Sequence, residues 1–279
     1  MKIDICIATK DRHSELALLL QSLRTQSFQN FDIFILDDKS GTSINQCYFL
    51  GYLFNRLRLE NHRVKLIRNE IPKGVCGARN MLIEETNKVG SGELILRLDD
   101  DVILKPDYIE KLLKGIEKGY DAISGVVPAL VNPEMIREVK YVTPIINYHE
   151  LDSEGNIIIN KDECAYCYDE EKILLTPHFR TNLLYKKEIQ QKINYPCHLS
   201  FVGFREEGFF SFKMILQNYK IGINTAAKSF HFCCPSGGCR SQTYQQDVMS
   251  DDKLFRDWVK EKFKEKGDFL RSYYEKSKL

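Results

Sequence analysis

The sequence has almost no net charge: 40 Lys and Arg stand against 39 Asp and Glu, a formal balance of +1. That argues against broad nucleic-acid binding, which rests on an excess of cationic surface. A specific polyanion needs positive charge only locally, so it stays open. No run approaches the ~20 apolar residues of a membrane span. The opening MKIDICIATKDR has neither the long apolar core nor the small-residue cleavage site of a signal peptide. Internal repeats, low-complexity tracts and a clear interdomain linker are also missing. The expectation is a cytoplasmic protein, soluble or peripheral to a membrane. Cysteine is not scarce: there are nine, an odd number with no export signal, and free thiols are the default reading.

The 279 residues, 28% charged and 43% hydrophobic, suit one large α/β domain or two small ones. The first half alternates strand and helix. Apolar, Ile-rich stretches at 3–8, 31–36, 64–67, 93–98 and 121–127 read as buried strands. Between them, Leu16, Leu19, Leu20 and Leu23 recur at helical spacing behind Asp11, a good N-cap residue. Helices are also predicted over 48–59, 74–86 and from Pro106 to 115. This alternation predicts a mostly parallel, Rossmann-like sheet covered by helices. In the second half, 139–175 reads as irregular strands with a hairpin turn at 152–156. Residues 178–189 read as a strand running into a short helix, 206–218 as a helix, 221–224 as a short strand and 234–242 as a loop. Residues 251–278 form a charged helix with Phe255, Trp258, Val259, Phe263 and Leu270 on one stripe. The expected organisation is a catalytic domain over 1–245, divided near residue 125, and a helical extension over 246–279.

Ligands of open parallel sheets bind at the carboxyl ends of the strands. Three polar clusters fall there: Thr9-Lys10-Asp11, Asp37-Asp38 and Asp99-Asp100-Asp101. Three adjacent carboxylates after a buried strand repel one another, and a hard divalent cation such as Mg²⁺ or Mn²⁺ relieves this. Such a metal can also neutralise a leaving diphosphate. The plainer reading is a solvated acidic turn, and the convergence of three strand ends weighs against it.

Four segments, in order, resemble the family 2 glycosyltransferases, whose catalytic domain is the GT-A fold: IATKDR (7–12), ILDDKSGTS (35–43), NEIPKGVCGARN (69–80) and LILRLDDDVILKPDYI (94–109). The resemblance extends from Met1 to about Ser241. It implies a nucleotide-diphosphate sugar donor, UDP-linked by preference, an acceptor that is a glycan or lipid-linked, and Mn²⁺ or Mg²⁺. It places Thr9 and Asp11 in the base and ribose pocket. Asp38 would accept a hydrogen bond from the base, with Asp37 supporting the turn. Gly74 would let the backbone approach the nucleotide, and Arg79 would add positive charge or instead form a helix salt bridge. Asp99 would bind the ribose or the metal through water, Asp101 would ligate the metal, and Asp100 is grouped with the nucleotide.

GFREEGFFSFKMILQNYKIGIN (203–224) takes the place of the family's acidic pair at the start of a late helix. Glu207 aligns with the base that deprotonates the acceptor, with Glu206 as the alternative. Two Glu in a first turn also simply favour the helix dipole. His231 stands where many relatives carry a third metal ligand. Arg240 and Lys228 are candidates for the diphosphate, and His178, Arg180 and Asn182 for acceptor hydroxyls or a phosphate. Two other readings compete. A nucleotidyltransferase shares the sheet and the acids, but IATKDRHSE lacks the glycines such enzymes carry after the first strand. A zinc-stabilised binding module would use Cys164 and Cys167 with Cys233, Cys234 or Cys239. The helix over 251–279 could also touch a membrane surface, although its charges nearly balance.

Overall fold

The computed structural model describes residues 1–127, 149–159, 171–179 and 181–277. In chain order the elements are β1 (Ile3–Thr9), α1 (His13–Arg24), β2 (Phe31–Asp37), α2 (Tyr48–Leu59), β3 (Val64–Arg68), α3 (Gly74–Val89), β4 (Leu94–Asp99), β5 (Val102–Leu104), α4 (Tyr108–Glu117), β6 (Ala122–Val126), β7 (His149–Leu151), β8 (Ile157–Ile159), β9 (Ile173–Leu175), β10 (Leu183–Lys186), α5 (Lys187–Gln190), α6 (Glu206–Leu216), β11 (Ile221–His231) and α7 (Tyr244–Ser277).

The main sheet runs β3-β2-β1-β4-β10-β6-β11-β5, with β9 also on β11. β3, β2, β1 and β4 are parallel. β10 enters antiparallel between β4 and β6, so the sheet is mixed but mostly parallel. Side chains alternate across it as the pleat requires. Ile3, Ile5 and Ile7 pack with Leu16, Leu50 and Ile109 of α1, α2 and α4. Cys6, Phe34 and Ile95 face the other way, onto Leu82, Phe209 and Phe255 of α3, α6 and α7. Burial on both faces explains why these strands read as continuous apolar runs. Register then aligns the rim: Thr9 lies opposite Asp37, and Ala8 opposite Asp99.

Several expectations shift. β11 is eleven residues long, not four, and carries a bulge between Asn224 and Lys228. Its polar stretch hides it in sequence, yet Asn224, Thr225 and Ser229 are fully buried. Asn224 Nδ2, for example, donates to the Lys111 carbonyl at 2.7 Å. Asp11 does not cap α1: Arg12 holds the N-cap position without a side-chain bond. Asp11 instead has φ 52° and accepts from the Gly41 N–H at 2.6 Å. Pro106 precedes α4 rather than starting it, because Asp107 is the N-cap residue. The 152–156 turn is present, with Asp152 Oδ1 accepting from the N–H groups of Glu154 and Asn156 at 2.8 Å each.

The boundary expected at 245 falls inside α7, which starts at Tyr244. The helix is broken by non-helical backbone at Lys266. Phe255, Val259, Phe263 and Leu270 are buried against the domain, so this stripe of the helix is turned inward. Among the described residues no helix is long and apolar enough to cross a membrane.

Candidate active site

A cleft of about 460 Å³ opens at the carboxyl rim of the sheet, within the range of small-molecule sites. Its lining includes Thr9, Asp38, Arg79, all three residues of the Asp triplet, His178, Glu206, Glu207, His231 and Arg240.

The metal-side cluster follows from strand pairing. β5 begins directly after the triplet and pairs antiparallel with the end of β11, with Val102 opposite His231. The Phe232 N–H then donates to the Asp101 carbonyl at 2.9 Å. Residues 130 positions apart in sequence thus meet, with His231 Nε2 3.0 Å from Asp101 Oδ1. One ligand atom each from Asp99, Asp101 and His231 lies within 4.8 Å of the others. Two carboxylates and an imidazole fit a hard or borderline divalent cation.

Arg12 is a member of this cluster that the sequence reading assigned no part. Its Nη1 lies 2.9 Å from Asp100 Oδ1 and 3.0 Å from Asp101 Oδ2. The Thr9 hydroxyl donates to Asp100 Oδ2 at 2.7 Å. Burial disfavours ionisation of Asp100 and pushes it up to about 6, against the pull of Arg12 and Thr9. Burial acts on Asp101 in the same sense, but the hydrogen bond and charge of His231, then Arg12, hold it below the usual carboxylate range. Burial lowers His231, yet its contacts with Asp101 and Cys233 and the nearby acids raise it to about 10. Without metal, His231 therefore carries a proton that offsets part of the triplet's charge.

The cleft is also lined by the acidic pair with which α6 begins. Glu206 is 2% exposed and enclosed by two guanidinium groups, Arg79 in close contact and Arg97 Nη1 at 3.3 Å. The Glu207 side chain is 25% exposed and lies 3.8 Å from Arg97 Nη2. Arg97 was also missed. Its signal was an arginine inside the apolar strand LILRLD, since a buried cation must find acids. It is 4% exposed, and its guanidinium stacks over Phe179 at 5.1 Å. Arg79 Nη2 reaches Asp99 at 2.9 Å while the same side chain contacts Glu206, so it bridges the triplet and the acidic pair. Arg79 thus forms ion pairs in the cleft wall with residues of other elements, not within its own helix.

The remaining candidates divide into lining and support. Asp38 lines the cleft, but its carboxylate accepts from Asn69 Nδ2 at 2.6 Å and from the N–H groups of Lys73 and Gly74 at 2.8 and 2.9 Å. Asp37 is fully buried behind it, pairing with Arg68 and accepting from the Ser40 N–H at 2.7 Å. Gly74 was expected to admit a nucleotide, whereas its close approach is to protein. At φ 71° a Cβ would lie 2.7 Å from the Phe201 carbonyl oxygen. Asp11 and Lys228 are not among the lining residues. Asn182 was expected to face an acceptor and does not. It is fully buried, taking the Asp99 N–H at 3.3 Å and donating to Ser229 Oγ at 3.0 Å. His178 is in the wall, and Arg240 reaches across to the Cys234 carbonyl. Arg180, Cys164 and Cys167 lie outside the described residues.

Residues 4–156, more than half of the chain, match Glycosyl transferase family 2, and the chain belongs to that family. It is 30% identical over 162 residues to an uncharacterised glycosyltransferase of Haemophilus influenzae, covering 57% of this chain and 49% of that protein. It is 28% identical over 108 residues to the Escherichia coli UDP-Glc:alpha-D-GlcNAc-diphosphoundecaprenol beta-1,3-glucosyltransferase WfgD, covering 39% of this chain and 38% of WfgD. Among solved structures it resembles GalNAc-T7 crystallised with UDP, GalNAc and Mn²⁺, with a TM-score of 0.64, 14% identity, and coverage of 93% of this chain and 49% of that one. This likeness establishes the GT-A fold. The chain spans about half or less of the length of each of these proteins.

Proposed function

We propose that the chain transfers a sugar from a UDP-sugar to an acceptor hydroxyl with inversion, aided by Mn²⁺ or Mg²⁺. The carrying observation is the convergence of Asp99, Asp101 and His231 in a cleft that also presents a partly exposed carboxylate, Glu207. WfgD, by its name, uses UDP-glucose and a lipid-diphosphate acceptor. That supports a UDP-hexose donor here and an acceptor on a lipid carrier.

Asp101 and His231 would hold the metal, with Asp99 beside them. When bound, the metal supplies charge neutralisation for the departing diphosphate. Arg12 keeps Asp100 and Asp101 in place through its two ion pairs. Glu207, facing the cleft, takes the proton of the acceptor hydroxyl. The acceptor oxygen then bonds to the anomeric carbon as the carbon–oxygen bond to the diphosphate breaks, and UDP leaves with the electron pair. Glu206 is unsuited to this proton transfer, because two guanidinium groups occupy it and water does not reach it. Its part is to fix Arg79 and Arg97.

The test is thermal-shift screening of UDP-, GDP- and dTDP-sugars with and without Mn²⁺, followed by product analysis with the donor that binds. A Mn²⁺-dependent shift with UDP-sugars is expected and should disappear in Asp101→Asn. Equal shifts with and without metal would remove the metal from the proposal, and a GDP preference would remove the uridine assignment.

A further inference from the structure

We infer that Asp251, on α7, is a positioning residue for Glu207: it holds the turn that delivers the acidic pair to the cleft. The inference rests on the assignment of Glu207 as base. Asp251 is 1% exposed. Its carboxylate accepts from the Ser200 N–H at 2.8 Å, the Ser200 hydroxyl at 2.7 Å and the Phe204 N–H at 2.9 Å. One buried side chain thus satisfies both ends of the 200–204 turn. Three donors to one buried carboxylate make it costly to replace.

The turn is clamped from its other side by α3, where the Val75 N–H donates to the Phe201 carbonyl at 3.2 Å. Val202 to Glu207 line the cleft. Arg205, the residue before Glu206, has left-handed backbone with φ 70°. An arginine holds that conformation only where its surroundings impose it. The neighbour of Asp251 does so: Asp252 Oδ1 takes Arg205 Nε at 2.6 Å. The helix can approach this closely because α6 carries Gly208 at the contact, where a Cβ would lie 2.8 Å from the Phe255 ring. Apart from Val75, the residues of these links lie beyond the 4–156 stretch that matches the family. Asp251, which does not line the cleft, therefore sets how far Glu207 reaches into it, and a displacement near 1 Å can cost about 100-fold in rate.

The experiment compares full-length wild type with Asp251→Asn, Glu207→Gln and the double variant. It measures kcat and KM for the UDP-sugar found in the donor screen, UDP affinity by calorimetry, and melting temperature. The expected result for Asp251→Asn is a fall in kcat of about 10- to 100-fold, with donor KM and UDP affinity within about twofold. The double variant should be no slower than Glu207→Gln alone, because a residue that acts through the base has nothing to add once the base is gone. Unchanged kcat in folded Asp251→Asn overturns the inference. So does an additive double variant, or a parallel loss of UDP affinity, since either marks general loosening. Full transfer by Glu207→Gln would instead sink the base assignment itself. If Asp251→Asn does not fold, Ser200→Ala removes one of the three donors and should lower kcat several-fold; no change there also overturns the inference.

Discussion

The two acidic clusters of the cleft balance their carboxylates by different means. At the triplet, Asp100 and Asp101 are offset by Arg12 and by a proton on His231. At the start of α6, Glu206 and Glu207 face Arg79 and Arg97, guanidinium groups that do not titrate in the working range. The triplet is offset by an imidazolium as well as by a guanidinium, the acidic pair by guanidinium groups alone. A removable proton can be exchanged for a metal ion carrying a donor diphosphate. The two guanidinium groups hold Glu206 in place, and Glu207 beside it stays partly exposed.

Four measurements probe that contrast. The largest effect is expected at the base: Glu207→Gln should reduce transfer by about 10²–10⁴-fold while UDP affinity stays nearly intact. Retained transfer would mean that the open carboxylate is not the base. Its buried neighbour should behave oppositely, through stability. Glu206→Ala removes the buried carboxylate that Arg79 and Arg97 share and should cost about 3–5 kcal/mol in denaturant unfolding. Glu207→Ala, partly exposed, should cost under about 1 kcal/mol. Equal costs for the two would break the division between structural and reactive carboxylate.

At the metal end, Asp101→Asn should lower metal-dependent turnover by about 10²–10³-fold, the scale of losing one stabiliser of developing charge. It should also abolish the Mn²⁺-dependent rise in melting temperature. The smallest effect concerns pH. His231 is raised to about 10 in the folded protein, above the ordinary 6.5. Its contribution to stability is therefore complete below pH 6.5 and lost as pH climbs through 10. Melting without metal should decline over that window, and His231→Gln should flatten the decline. Mn²⁺ affinity should rise over the same window, because ligation requires the proton to leave. A flat wild-type profile would show that no removable charge sits there.

Much of the fold was legible because its central strands are buried on both faces and so read as unbroken apolar runs. The rim was legible too, since each run ends in Thr9, Asp37-Asp38 or the Asp triplet. β11 was read too short because buried, bonded polar residues look like a loop when their partners are unknown. Arg12 and Asp251 escaped for a related reason: a charged residue in a polar stretch has nothing local to show that it will be buried. Asn182 and Gly74 were given ligand-facing parts, whereas their partners are Asp99, Ser229 and Phe201 within the protein.

Chain order and residue chemistry were enough to define the fold class, the acid-rich rim, and the residues proposed for a metal site and a base. They were not enough to divide the work between adjacent carboxylates. Successive residues on a helix point about 100° apart, so Glu206 and Glu207 face different surroundings although they are alike in sequence. The approach of β4 and α3 to α6 places two guanidinium groups on Glu206 and leaves Glu207 toward the cleft. The pairing of β5 with the end of β11 likewise chooses Asp101 for His231 and turns Asp100 toward Thr9 and Arg12. Both outcomes depend on contacts between residues far apart in the chain, and local pattern carries no record of them.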